Sequence, residues 1–150
     1  MTRILAEELE LFSDWKSIRL ADQFTDDRGV YVIRIVDCHG NPFGIQRAKC
    51  TDEQGIVNIG FGYGSSRLRK LQAALDLESK EDWNQSKHHQ LMLWWLTCDF
   101  DSIQEGFSDR NMEVAWKSVS VKKAARKLEW ELLWSYKEFF GDLPIGNVKT

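Results

Sequence analysis

Residues that break, staple or anchor a chain are scarce here. Two prolines and no low-complexity tract among 150 residues leave little room for disorder. No apolar run approaches the roughly 18 residues of a membrane span, which excludes a spanning protein. The opening Met1-Thr2-Arg3-Ile4-Leu5-Ala6-Glu7-Glu8 is too acidic for a secretory signal, so a cytoplasmic protein is expected. Three cysteines, Cys38, Cys50 and Cys98, are an odd number without Cys-x-x-Cys spacing. That argues against a disulfide framework and a zinc site, and leaves small hydrophobes in a reducing compartment. Of three histidines, His88 and His89 are adjacent. On a helix they point about 100° apart and lack the i,i+4 spacing of a metal pair. Charge of one sign is also missing. With 20 Lys and Arg against 23 Asp and Glu, the net charge of −3 argues against tight nonspecific binding to nucleic acid.

What is present suffices for one domain, 43% hydrophobic and able to bury a core at this length. Seven tryptophans predict a large aromatic core or an apolar contact surface. Leu5, Leu9 and Phe12 recur at helical spacing over residues 4–15. Residues 30–36, Val-Tyr-Val-Ile-Arg-Ile-Val, predict a central strand, being β-branched and aromatic. Residues 43–49 pair back as a hairpin strand, and 56–60 form a third strand. The glycine-rich 61–66 reads as a connection ending in the N-cap Ser66, before a helix with Leu68, Leu71 and Leu75 on one face. A second helical stretch runs over 82–96 and an acidic loop over 99–110. Residues 113–119 suit an edge strand. Ser120 then caps a helix over 121–140 that stops at Gly141, ahead of Pro144. The order gives an α+β domain with a small three-stranded antiparallel sheet flanked by helices and an extra hairpin or edge strand.

The last helix holds one anomaly. Val121, Ala125, Leu128, Leu132, Tyr136 and Phe139 share an apolar face, and Glu129 projects between Tyr136 and Phe140, inside that arc. Glu131 falls on the solvated side with Lys127 and Glu138. A carboxylate aimed at a core needs a cation, an ion-pair partner or backbone donors. Trp130 and Trp134, at i,i+4, face away from Glu129. They suit a homodimer contact or a face covered by the N-terminal helix. Positive charge is segregated as well. Residues 64–75 carry Arg67, Arg69 and Lys70, and residues 114–127 carry Lys117, Lys122, Lys123, Arg126 and Lys127, with no acid in either stretch. Such segments bind a polyanion locally or form ordinary solvated faces.

In order along the chain, four pieces resemble the GIY-YIG nuclease superfamily. They are Gly29-Val30-Tyr31, then Asn58-Ile59-Gly60, then Arg67-Leu68, then Leu128-Glu129-x-x-Leu132-Leu133-x-x-Tyr136 with a Pro144 to Asn147 tail. The likeness covers residues 29–147, after an N-terminal extension over 1–28. Asn58 stands where the family has its second signature tyrosine, and it hydrogen-bonds but is no phenol. Tyr63 is the phenol nearest to that place.

The resemblance implies metal-dependent hydrolysis of DNA phosphodiester bonds. Glu129 would ligate one divalent ion, Mg²⁺ or Mn²⁺, which suits a hard cation that takes one or two carboxylates plus waters and phosphate oxygens. Tyr31 would orient or deprotonate the attacking water, and Arg67, with Arg69 as the alternative, would stabilise charge on the phosphoryl group. Gly29 and Gly60 would support the site, and Asn147 would tie the tail back onto it. Arg67, Arg69, Lys70, Lys117, Lys122, Lys123 and Arg126 are the expected DNA-binding cations. The competing class is a catalytically inactive module on the same fold that binds nucleic acid or a protein partner.

Overall fold

The computed structural model describes residues 3–18, 28–37, 39–75 and 112–147. The segments 82–96 and 99–110, expected to be a helix and a loop, lie outside them, as do His88, His89, Cys38 and Cys98. In chain order the elements are α1 (Arg3–Leu9), β1 (Lys16–Ser17), β2 (Arg28–Ile35), β3 (Ile45–Gln46), β4 (Thr51–Asp52), β5 (Ile56–Tyr63), α2 (Gly64–Leu75), β6 (Met112–Ser118) and α3 (Lys122–Phe140). Among the described residues no helix is long and apolar enough to cross a membrane.

The fold is mixed α+β. Its main sheet is antiparallel in the order β1-β6-β2-β5. β2 is β-branched on both faces, and both faces are covered. Val30 and Val32 point to α3 and α1, where they meet Leu5, Leu128 and Leu132. Tyr31, Ile33 and Ile35 point to the other side, onto Leu68 and Leu71 of α2. This period-two division makes β2 the middle of two hydrophobic layers.

The sheet has four strands where the sequence predicts three. The added one is β1, whose Lys16 and Ser17 pair with Val114 and Glu113. β6 is therefore interior, not the expected edge strand. Its alternation is weak because both its faces are covered, Val114 and Trp116 on one and Ala115 on the other. The segment over 43–49 does not extend this sheet either. β3 pairs only with β4, and it is tethered to β2 by the bridge Val36–Pro42 and by the Phe43 N–H donating to the Ile35 carbonyl at 2.9 Å.

That small hairpin closes the end of α3. The last carbonyls of a helix have no partner within it. Here the Lys49 N–H donates to the Phe140 carbonyl at 2.9 Å, and Lys49 Nζ to that of Glu138 at 2.8 Å. Gly141, at φ 89°, stops the helix in the left-handed region. At the other end Val121 takes the cap position without a side-chain cap, and Ser120 plays no such part. Val121 is extended, so the helical wheel does not apply to it, and it is 62% exposed. Phe139 is also 39% exposed, because Phe140 supplies the buried aromatic of the last turn, edge-on to it at 4.8 Å. The buried stripe is Ala125, Leu128, Leu132, Leu133, Tyr136 and Phe140, with Ser135.

Asp52 joins the hairpin to α3. It is fully buried, and it accepts the Gln54 N–H at 2.8 Å, the Ile56 N–H at 3.0 Å and the Tyr136 hydroxyl at 2.7 Å. Burial, and then the Asp52 charge, push the Tyr136 hydroxyl well above the usual phenol range. Removing the carboxylate orphans two buried donors and a half-buried one, so Asp52→Ala is expected to cost about 2–4 kcal/mol. Urea unfolding checks this, and a midpoint equal to wild type would contradict it.

Candidate active site

β5 is the second edge of the sheet, and what covers its outer side builds the site. Along a strand, alternate residues direct their backbone N–H and C=O groups outward. The first outward carbonyl, of Val57, accepts the Gly146 N–H at 2.7 Å. At Ile59 the side chain of Asn147 takes both groups, accepting the N–H at 3.0 Å and donating to the carbonyl at 2.9 Å. Asn147 therefore stands in for one residue of a neighbouring strand. Asn58 Nδ2 reinforces the tail by donating to the Gly146 carbonyl at 3.3 Å. The next outward amide is that of Phe61, and it acts on the Glu129 carboxylate.

On either side of Phe61 stand Gly60 and Gly62, which share the face of β5 opposite α3. Tyr31 lies directly across from Gly60, and its ring occupies the space that a side chain would need. A Cβ on Gly60 would sit 2.4 Å from the Tyr31 hydroxyl oxygen. The Arg67 side chain covers Gly62 in the same way, with Nε 2.3 Å from where a Cβ would be. Glycine in a strand marks such close approaches. This explains why residues 61–63 belong to the strand and not to the predicted connection: the missing side chains admit Tyr31 and Arg67. A phenol, a guanidinium and a carboxylate thus converge on Gly60-Phe61-Gly62.

Their electrostatics are coupled. Tyr31 is only 3% exposed. Burial pushes the phenol up to about 12, Arg67 opposes that shift, and the Glu129 charge adds to it. Glu129 is half-buried, and desolvation raises its carboxyl to about 7. Arg126, then Arg67, then the Phe61 amide pull it back down. Among the described residues neither arginine closes an ion pair with it within 4.0 Å. The carboxylate is therefore under-compensated, and a cation beside it would lower its proton affinity further.

Asn58 is buried on the Tyr31 side of the sheet, where it holds the tail, and its Oδ1 has no partner among the described residues. Tyr63 does not take the place of the missing phenol. An odd spacing from Asn58 puts it on the other face, and its ring lies under the Arg28 guanidinium at 4.9 Å. Gly29 is a packing glycine, since a Cβ there would sit 2.6 Å from the Trp116 ring. Arg69 is exposed on α2 and Lys70 is half-buried there. Lys117 pairs with Glu8 at 3.3 Å. Lys122, Lys123 and Arg126 line a concavity of about 470 Å³ on α3. Trp130 and Trp134 stack with centroids 5.8 Å apart and stay 58% and 50% exposed, so α1 does not cover them.

Sequence reasoning missed Gly62 and the nearness of Arg126 to Glu129. The i,i+3 spacing of Arg126 and Glu129 and the alternation of Gly60 with Gly62 were the available signals. Among the described residues no group of three His, Cys, Asp or Glu side chains could hold a metal. The residues that converge here fit a hard cation bound through one carboxylate, with waters and substrate oxygens completing its shell. Comparison with family models, curated proteins and solved structures finds nothing that matches the chain.

A carboxyl raised from 4.5 to about 7 binds more protons in the folded state than in the unfolded one. Its contribution to stability is present below pH 4.5 and is lost as pH rises through 7. Glu129→Gln is therefore expected to be more stable than wild type at alkaline pH, by about 1–2 kcal/mol after discounting for solvent screening. The two proteins should converge at the acid end. Thermal unfolding across pH checks this, and a difference that does not change with pH would contradict it.

Proposed function

We propose that the chain is a metal-dependent endonuclease of GIY-YIG type that hydrolyses DNA phosphodiester bonds. The observation that carries this reading is the meeting of the Tyr31 hydroxyl, the Arg67 guanidinium and the under-compensated Glu129 carboxylate at the edge of β5. The strand arrangement supports it as well. A family-like core of β5, β2 and β6 would lie between α2 and α3, with β1 and the β3–β4 hairpin as additions.

In this reading Glu129 holds one Mg²⁺ or Mn²⁺, which polarises the phosphoryl oxygen and acidifies water when bound. Arg67 faces the same space and offsets negative charge as it builds on phosphorus. Tyr31 remains a neutral phenol at physiological pH, because burial holds its proton far above that range. It therefore orients the attacking water through its hydroxyl oxygen, and it acts as a base only when a cation stands close by. Water adds to phosphorus, the bond to the departing sugar oxygen breaks, and that oxygen takes up a proton. Asn58 and Asn147 hold the tail on β5 and so fix where the open edge begins.

A non-catalytic module on the same fold is the second reading. It draws on Asn58, whose amide is engaged with the tail and supplies no second phenol. Supercoiled plasmid with Mg²⁺ or Mn²⁺ separates the two. Wild type is expected to nick, Glu129→Ala to be inactive, and Tyr31→Phe and Arg67→Ala to lose about 100-fold or more. Equal nicking by all four would mean a contaminant, and no nicking by wild type would favour the binding module.

The exposed Trp130–Trp134 stack is proposed to receive a second copy of the chain. Replacing both with serine should give a monomer in sedimentation where wild type is a dimer. An unchanged mass would reject the contact.

A further inference from the structure

We propose that the substrate strand runs from the reacting centre along the N-terminal half of α3, its phosphodiester backbone held by Arg126, Lys122 and Lys123. This deepens the nuclease reading, and rests on it for the position of the reacting centre. Lys122, Arg126 and Glu129 stand at i, i+4 and i+7 and share one stripe of the helix, spread over about 10 Å of its axis. Arg126 joins the two regions. It is the largest charge acting on Glu129, and its guanidinium lies 5.9 Å from the ring centroid of Phe61, between the two glycines. Arg126 thus belongs both to the concavity that it lines with Lys122 and Lys123 and to the surroundings of Glu129.

Ion pairing selects these cations from the others. Lys117 is engaged with Glu8 at 3.3 Å, and Lys127 with Glu131 at 3.8 Å. Among the described residues no acid lies within 4.0 Å of the Lys122 or Lys123 ammonium. Residues 114–127 hold no Asp or Glu. The occupant is accordingly a polyanion. A phosphodiester backbone fits best, because its regular charges can occupy the cationic stripe while one phosphate reaches the reacting centre beyond Arg126. The overall charge of −3 then confines DNA to this track and does not spread it over the surface.

The test is fluorescence anisotropy with a short labelled DNA duplex in EDTA, over about 50 to 200 mM salt. Wild type is compared with the double variant Lys122→Gln/Lys123→Gln and with Lys127→Gln on the same helix. All three positions are exposed, and circular dichroism checks folding. The double variant is expected to flatten the log–log salt slope by about 1 to 2 and to bind at least about tenfold more weakly at low salt. Lys127→Gln should match wild type. Three results would overturn the track: equal loss in Lys127→Gln, no duplex binding by wild type, or displacement of duplex by poly-glutamate at equal charge. The last would assign the groove to an acidic protein. Plasmid nicking is read separately. Binding that follows the expected pattern without any nicking keeps the track and removes the chemistry, whereas nicking with unchanged binding in the double variant removes the track alone.

Discussion

An exposed sheet edge must be paired, covered or charged, and β5 meets this constraint with a different device at each outward position. The tail backbone serves Val57, the Asn147 carboxamide serves Ile59, and at Phe61 a carboxylate faces the amide. Covering the edge stops where the two glycines begin. Gly60 and Gly62 clear one face of the strand, so a phenol from β2 and a guanidinium from α2 can lie where side chains would otherwise project. The site is thus a consequence of how one edge strand ends.

Those same contacts set the electrostatics. Burying the Glu129 carboxyl beside a sheet raises its proton affinity, and Arg126 and Arg67 act through space to offset part of that cost. A tight ion pair would stabilise the fold more, but it would close the carboxylate to any other cation. Incomplete compensation of this kind is what makes Glu129 a candidate functional group. The buried Asp52 is the contrast. It has three donors within hydrogen-bond distance, ties the β3–β4 hairpin to α3, and serves structure alone.

Much of this was legible in the sequence where the signal is periodic. β2 announces itself through β-branched residues on both faces. α3 shows an apolar stripe interrupted by Glu129, which the structure leaves half-buried beside the Phe61 amide. β1 has only two residues and carries no period, so the fourth strand could not be seen. Nor could the engagement of Tyr136 with Asp52, since a tyrosine on an apolar stripe looks like any other core residue. Gly62 and Tyr63 read as loop because composition cannot tell a turn glycine from one that makes room for a neighbour. Their meaning depends on register, which pairs Gly60 with Tyr31 and Tyr63 with Arg28.

The central proposal is that the half-buried Glu129 carboxylate binds a divalent cation. Carbon-13 NMR of the glutamate side-chain carboxyls, assigned with Glu129→Gln and titrated with and without Mg²⁺, tests it most directly. The account predicts a Glu129 midpoint near 7 in the absence of metal and a clear fall when Mg²⁺ is added. A midpoint at the ordinary glutamate value, indifferent to Mg²⁺, would contradict it.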